Sequence, residues 1–193
     1  SIRSRLEPKI DTDQPTTYLD FPPDYTSLLS NDAFQWLTKY RIWPEEIRDH
    51  NFGWSDKRKL LVMPVYDRDH NLVMWQGRNF GTNGQKYLTH GPASDILDIV
   101  TPKNLAVKSE LNTIIVVEGK LDAIKVGRVY HSMPLWGSNI PLKLIRRLKE
   151  RFSKLGIWLD PDKRRESIVA ALRASQYIDT FVVLSNKDPK END

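Results

Sequence analysis

Three acidic positions in the second half of the chain stand where metal-dependent chemistry would want them. Glu118 closes the β-branched run Thr113-Ile114-Ile115-Val116-Val117, and Asp160 and Asp162 close Gly156-Ile157-Trp158-Leu159-Asp160-Pro161-Asp162. Asp188 follows a third apolar run, in Asn186-Lys187-Asp188-Pro189-Lys190-Glu191. A carboxylate at the tip of a buried parallel strand sits at the edge where open α/β sheets take their ligands. Carboxylates two residues apart in extended backbone project to one side and can share a hard cation such as Mg²⁺. If the strands are neighbours, Glu118, Asp160 and Asp162 converge on a metal cluster, and Asp188 with Glu191 reaches the same edge. Taken singly, each of these acids equally suits a solvated turn.

The elements that must hold them follow from the pattern around them. From Thr113 onward, strand-like and helix-like segments alternate, the signature of βαβ units around a parallel sheet. The expected strands are 113–118, 131–136, 155–160 and 180–184, with helices near 121–128, 141–152 and 164–176. In the middle helix Leu142, Ile145, Leu148 and Phe152 recur at spacings of three and four, while Lys143, Arg146, Arg147, Lys149 and Arg151 occupy other faces.

Upstream the pattern is different. Asn31 or Asp32 can cap a helix holding Phe34, Trp36, Leu37 and Tyr40, and Pro44 suits the first turn of a second short helix. Leu60-Leu61-Val62-Met63-Pro64-Val65-Tyr66 and Leu72-Val73-Met74-Trp75-Gln76 read as strands joined by a polar connection of hairpin length, with Lys86-Tyr87-Leu88 as a third. Residues 1–30, with Pro8, Pro15, Pro22 and Pro23 and little periodicity, read as an extended arm or linker that adds little core. The expected organisation is thus an arm over 1–30, an α+β subdomain over 31–111, and an α/β subdomain over 112–193.

Composition narrows the classes. The chain has 193 residues, a net charge of +4 and no cysteine, and a mean hydropathy of −0.52. No apolar run approaches the roughly 20 residues needed to cross a bilayer, and Ser1-Ile2-Arg3-Ser4-Arg5 lacks the apolar core of a signal peptide. We therefore expect a cytoplasmic protein with no membrane partner. Without cysteine there is no disulfide and no thiolate zinc ribbon in this chain. No Gly-x-x-x-x-Gly-Lys segment marks a nucleotide-driven motor, and no Gly-x-Gly-x-x-Gly marks a dinucleotide site. Between Leu142 and Arg173 there are ten Lys or Arg against four Asp or Glu, an excess that suits a polyanion or simply a solvated face.

Glu118-Gly119 with Asp122-Ala123, then Asp160-x-Asp162, then Lys187-Asp188-Pro189, resembles in order and spacing the TOPRIM domain of bacterial-type primases, topoisomerases and some nucleases. Leu135-Trp136-Gly137-Ser138-Asn139 is similar to that domain's glycine-containing turn after its second strand. The upstream half resembles the first subdomain of the RNA-polymerase domain in DnaG-type bacterial and phage primases. The similar elements are Trp36-Leu37-Thr38-Lys39-Tyr40, Pro44-Glu45-Glu46-Ile47, the hairpin from Met63 to Asp67, Gly77-Arg78 and Lys86-Tyr87-Leu88. The resemblance covers about residues 32–191 and implies an α+β subdomain followed by an α/β TOPRIM subdomain with a Rossmann-like parallel sheet.

It also implies roles. Glu118, Asp160 and Asp162 would be catalytic and hold Mg²⁺, with Mn²⁺ able to serve in its place, supported by Asp122 and Asp188. Arg78, Lys86, Lys120 and Lys187 would bind nucleotide or template phosphate. The partners would be single-stranded DNA, ribonucleoside triphosphates and a replicative helicase or helicase domain, in the host cytoplasm if the gene is a phage's. Two departures stand out: Asp162 is followed by Lys163-Arg164-Arg165 where the family commonly has a glycine and an arginine, and the family's zinc module is missing from these residues. The same acids would also serve a TOPRIM nuclease, or a nucleic-acid-binding module in which they are only structural.

Overall fold

A computed structural model describes residues 18–92, 96–103 and 112–191. The upstream half is a five-stranded antiparallel sheet in the order β1-β2-β3-β4-β5, formed by Tyr25–Thr26, Gly53–Ser55, Leu60–Tyr66, Leu72–Asn79 and Tyr87–His90. Helices α1 (Asn31–Lys39) and α2 (Pro44–Asp49) lie between β1 and β2. Ser30, one residue before the expected caps, closes α1: its side chain accepts from the Ala33 N–H at 3.2 Å. In α2, Pro44 takes the first turn and the Glu46 carboxylate accepts from the Trp43 N–H at 2.8 Å.

The segment expected to be a linker contributes structure from its described start. Leu19, Phe21 and Tyr25 pack against Leu60, Val62, Leu72 and Trp75. Leu19 N–H donates to the Leu72 carbonyl at 3.0 Å, and Tyr25 hydroxyl donates to the Asn51 carbonyl at 2.9 Å. Pro22 and Pro23 turn the chain onto the sheet, and β1, two residues long, is too short to leave a periodic trace. Residues 1–17 lie outside the described residues.

The downstream half is a four-stranded parallel sheet in the order β7-β6-β8-β9, from His131–Pro134, Thr113–Val117, Lys154–Ile157 and Asp179–Val182. Helices α3 (Lys120–Val126), α4 (Leu142–Lys149) and α5 (Arg164–Ala174) make the crossovers. Every expected strand and helix is present, most of them shorter at the end. β6 and β8 are hydrogen-bonded neighbours with Val116 opposite Ile157, so the chain leaves both strands side by side. This is where the strand order reverses, the usual place for a ligand crevice in an open α/β sheet.

The two halves share a core. α3 is buried along its whole length: Leu121 and Ile124 pack with Leu37, Phe52, Trp54 and Met63 of the upstream half, while Ala123 and Val126 pack on Ile115 and Val117 of the parallel sheet. Arg128, just after α3, adds a two-pronged ion pair to Glu46 of α2, at 2.8 Å for each nitrogen. No helix among the described residues is long and apolar enough to cross a membrane.

Candidate active site

The edge of the parallel sheet opens into a cavity of about 430 Å³ whose far wall is the upstream half. Glu118, Asp122, Asp160, Asp188 and Lys190 line one side; Trp36, Arg78, Lys86 and Tyr87 line the other. The sequence brings these groups together through two sheets. Asp160 follows β8 next to Glu118 after β6, and Arg78 in β4 pairs with Tyr87 in β5.

On the acidic side, Glu118 Oε1 accepts the Asp160 backbone N–H at 3.1 Å, which ties the two strand ends together. Burial pushes the Glu118 acid up, and the neighbouring Asp160, Asp162 and Asp122 add to the rise. Asp160 is also lifted by burial, against the pull of Lys190. Its Oδ1 is buried and has no hydrogen-bond donor among the described residues. Asp122, on the first turn of α3, is almost fully buried, and Lys190 supplies its Oδ1 with a backbone N–H at 3.0 Å and an ammonium at 3.4 Å. Burial lifts the Asp122 acid while Lys190 opposes it. The same ammonium reaches Asp188 Oδ2 at 2.6 Å. Attraction to these acids outweighs burial for Lys190 and holds it protonated, above the ordinary lysine range.

On the basic side, Arg78 is boxed by aromatic rings. Its guanidinium carbon lies 5.2 Å from the Trp36 ring, 5.1 Å from Tyr87 and 6.0 Å from Phe80. Its Nε and Nη1 are buried yet find no acceptor among the described residues. Buried donors are nearly always paired, so two such nitrogens on one side chain at a cavity are open to an ordered water or a ligand. Lys86 is exposed at the rim, its ammonium 5.8 Å from the Tyr87 ring. Trp136 lines the cavity with a positive φ of 56° and an indole N–H that finds no partner among the described residues, in the turn after β7.

The structure does not bring every expected residue into the cavity with its charge free. Asp162 does not join Asp160 in the cavity lining: β8 ends at Ile157 and Pro161–Lys163 is a 3₁₀ turn, so the extended-chain rule for residues two apart no longer applies. The Asp162 carboxylate is 74% exposed and lies 3.6 Å from the Lys163 ammonium, near enough to weigh on the charge of Glu118. Lys120 does not offer its ammonium to a ligand, because Asp98 takes it at 2.6 and 2.7 Å with both side chains buried or nearly so. Lys187 and Glu191 are exposed and outside the cavity lining. Among the described residues no group of three or more His, Cys, Asp or Glu is placed to hold a metal ion. What the acidic side offers is the Glu118 and Asp160 pair. The cavity-lining residues given no site role from sequence are Trp36, in a helix, Tyr87, in a short strand, Trp136, in a glycine-containing turn, and Lys190, which is only one more charge in a charged turn.

Compared by sequence, the chain matches no family model and no curated protein. Compared by structure, it is similar to a DNA primase domain from Pseudomonas aeruginosa, with a TM-score of 0.63, 18% identity, and coverage of 83% of this chain and 66% of that one. It is likewise similar to the E. coli primase catalytic core, with a TM-score of 0.61, 18% identity, and coverage of 82% and 67%. A DnaG primase catalytic domain bound to single-stranded DNA matches with a TM-score of 0.61, 18% identity, and coverage of 83% and 66%. The chain therefore spans about two thirds of the length of these structures, and over that span its fold is that of a DnaG-type primase catalytic core.

Proposed function

We propose that this chain is the catalytic core of a DNA primase, joining ribonucleotides on a single-stranded DNA template with the help of Mg²⁺. One observation carries the reading: the Glu118 and Asp160 carboxylates face the Arg78 guanidinium and Lys86 across one cavity. A nucleoside triphosphate needs both walls, a cation site for its phosphates and fixed positive donors around them.

The acidic wall fits a divalent ion. Asp160 presents a buried oxygen without a donor among the described residues, and Mg²⁺ is usually held by one or two carboxylates with water and substrate phosphates completing its shell. When bound, Mg²⁺ would lower the pKa of the attacking 3′-hydroxyl and neutralise charge on the triphosphate. Glu118 and Asp160 would hold it and fix where that hydroxyl must approach. Arg78, already desolvated, would donate Nε–H and Nη1–H to phosphate, and Lys86 would add a mobile charge at the rim. Trp36 and Tyr87 hold the guanidinium in place and give bases an aromatic face to stack on. Single-stranded DNA as template, a replicative helicase as partner and a cytoplasmic setting belong to the same reading.

The test is incubation of the protein with single-stranded template, labelled ribonucleoside triphosphates and Mg²⁺. Short labelled oligonucleotides, lost in Glu118→Gln, are the expected product. Cutting of the DNA with no oligonucleotide made would point to a nuclease, and neither product with DNA still bound would leave a binding module.

A further inference from the structure

Lys190 sits in the acidic wall where a cation would otherwise be drawn. The 3₁₀ turn Pro189–Glu191 folds it back onto α3, and three contacts pin it: its backbone N–H and its ammonium on Asp122 Oδ1, and the ammonium on Asp188 Oδ2. The three side chains are only 17%, 5% and 25% exposed, so the cluster is largely screened from bulk water although it borders the cavity. A lysine in this position carries one charge tethered to the chain and satisfies two carboxylates.

We propose that Lys190 is a tethered cation that takes the place of a second divalent ion, leaving the cleft to bind one, between Glu118 and Asp160. Asp122 and Asp188 are thereby reserved for the lysine. This inference rests on the reading of Glu118 and Asp160 as a divalent-cation site. Lys190 acts through those carboxylates and is a positioning residue rather than a catalytic one.

Titration of the free protein with Mn²⁺, followed by electron paramagnetic resonance in the absence of nucleotide and template, tests it. The wild-type chain is expected to saturate at one Mn²⁺, Lys190→Ala at two, and Lys190→Arg, which keeps the charge, at one. Melting curves report whether Lys190→Ala is folded; if it is not, Lys190→Gln, which keeps a neutral donor for Asp122, takes its place. Two ions in the wild type, or one ion in the folded lysine-free variant with unchanged affinity, overturns the proposal while leaving the primase reading intact. A wild-type chain that binds no Mn²⁺, or binds one that Glu118→Gln does not remove, sinks the cation site itself and this inference with it.

Discussion

Arg78 gives the most discriminating test of the site, because a structural role and a ligand role predict opposite signs. Replacing it with Met keeps the length of the side chain and its packing between Trp36 and Tyr87, and removes the charge. The loss to the fold is the pair of short ring contacts at 5.2 and 5.1 Å, each about 0.5–2 kcal/mol. The gain is relief of two buried nitrogens that find no acceptor, each costing about 1–3 kcal/mol when left unpaired. These terms offset one another, so Arg78→Met should melt within about 1 kcal/mol of the wild type, or above it. Binding should behave otherwise: a lost charge-assisted hydrogen bond to phosphate is worth about 1.5–3 kcal/mol, roughly a 10- to 150-fold weaker affinity for nucleotide or template. Thermal melting and fluorescence anisotropy with a labelled single-stranded oligonucleotide, repeated over a range of salt, read both quantities. If Arg78→Met loses several kcal/mol of stability while binding is unchanged, the guanidinium is a structural plug and the reasoning fails.

Other perturbations follow from the same geometry. Glu118→Gln should cut oligonucleotide synthesis by about 100-fold or more, yet raise the melting temperature near neutral pH. Burial lifts the Glu118 acid, so its carboxylate costs stability above the folded pKa; that cost disappears as pH falls, and the variant's advantage should vanish below the ordinary value of 4.5. An advantage that persists or grows in acid would contradict the sign. For the same reason, Mn²⁺ binding to the wild type should weaken at a higher pH than free carboxylates would dictate, which calorimetric titration at several pH values would reveal. Ile124→Ala removes a side chain only 2% exposed that α3 inserts into the upstream core, and should cost about 2–5 kcal/mol in urea unfolding. The loss should appear in one transition common to fluorescence and circular dichroism, and separate transitions would show that the halves fold independently. Gly91→Ala should destabilise by about 1 kcal/mol or more, since φ is +107° and a Cβ would lie 2.7 Å from the Val73 carbonyl; an unchanged melting temperature would refute that strain.

Much of this arrangement was legible in the sequence, and the failures have local causes. The strand runs of the second half were readable, the central one because Ile and Val continue through it, as burial on both faces requires, and the others because short apolar stretches alternate with helical ones. Their ends were not. The run expected to reach Asp160 leaves the ladder at Ile157, although Trp158 still donates to the Val116 carbonyl at 3.0 Å. Two residues on, the Asp160 N–H is taken by Glu118, 42 positions earlier, which no periodic pattern can register. The same limit explains Lys120: read by type it is a phosphate ligand beside Gly119, but Asp98, in a stretch without periodicity, turns it into a buried ion pair. In the upstream segment four prolines mask the packing of its last residues, because Leu19, Phe21 and Tyr25 show their meaning only against a sheet built later in the chain.

The cavity's chemistry depends on α3 more than on any single acid. Asp122 lies on this helix, Glu118 and Gly119 enter it, and its apolar residues are divided between two hydrophobic cores. An element shared in this way cannot shift relative to one half without opening cavities in the other, each at a cost of kilocalories. The Arg128–Glu46 ion pair locks the far end of the helix to α2 by the same logic. The distance between the acidic wall and Arg78 is therefore set by packing rather than by a linker, and the site is held in place before substrate arrives. Preorganisation of this kind is what a reaction needs when the protein supplies positioning and charge and little covalent chemistry. It also accounts for the two nitrogens of Arg78 that find no acceptor among the described residues: a fold that cannot relax around them keeps them desolvated beside the cavity.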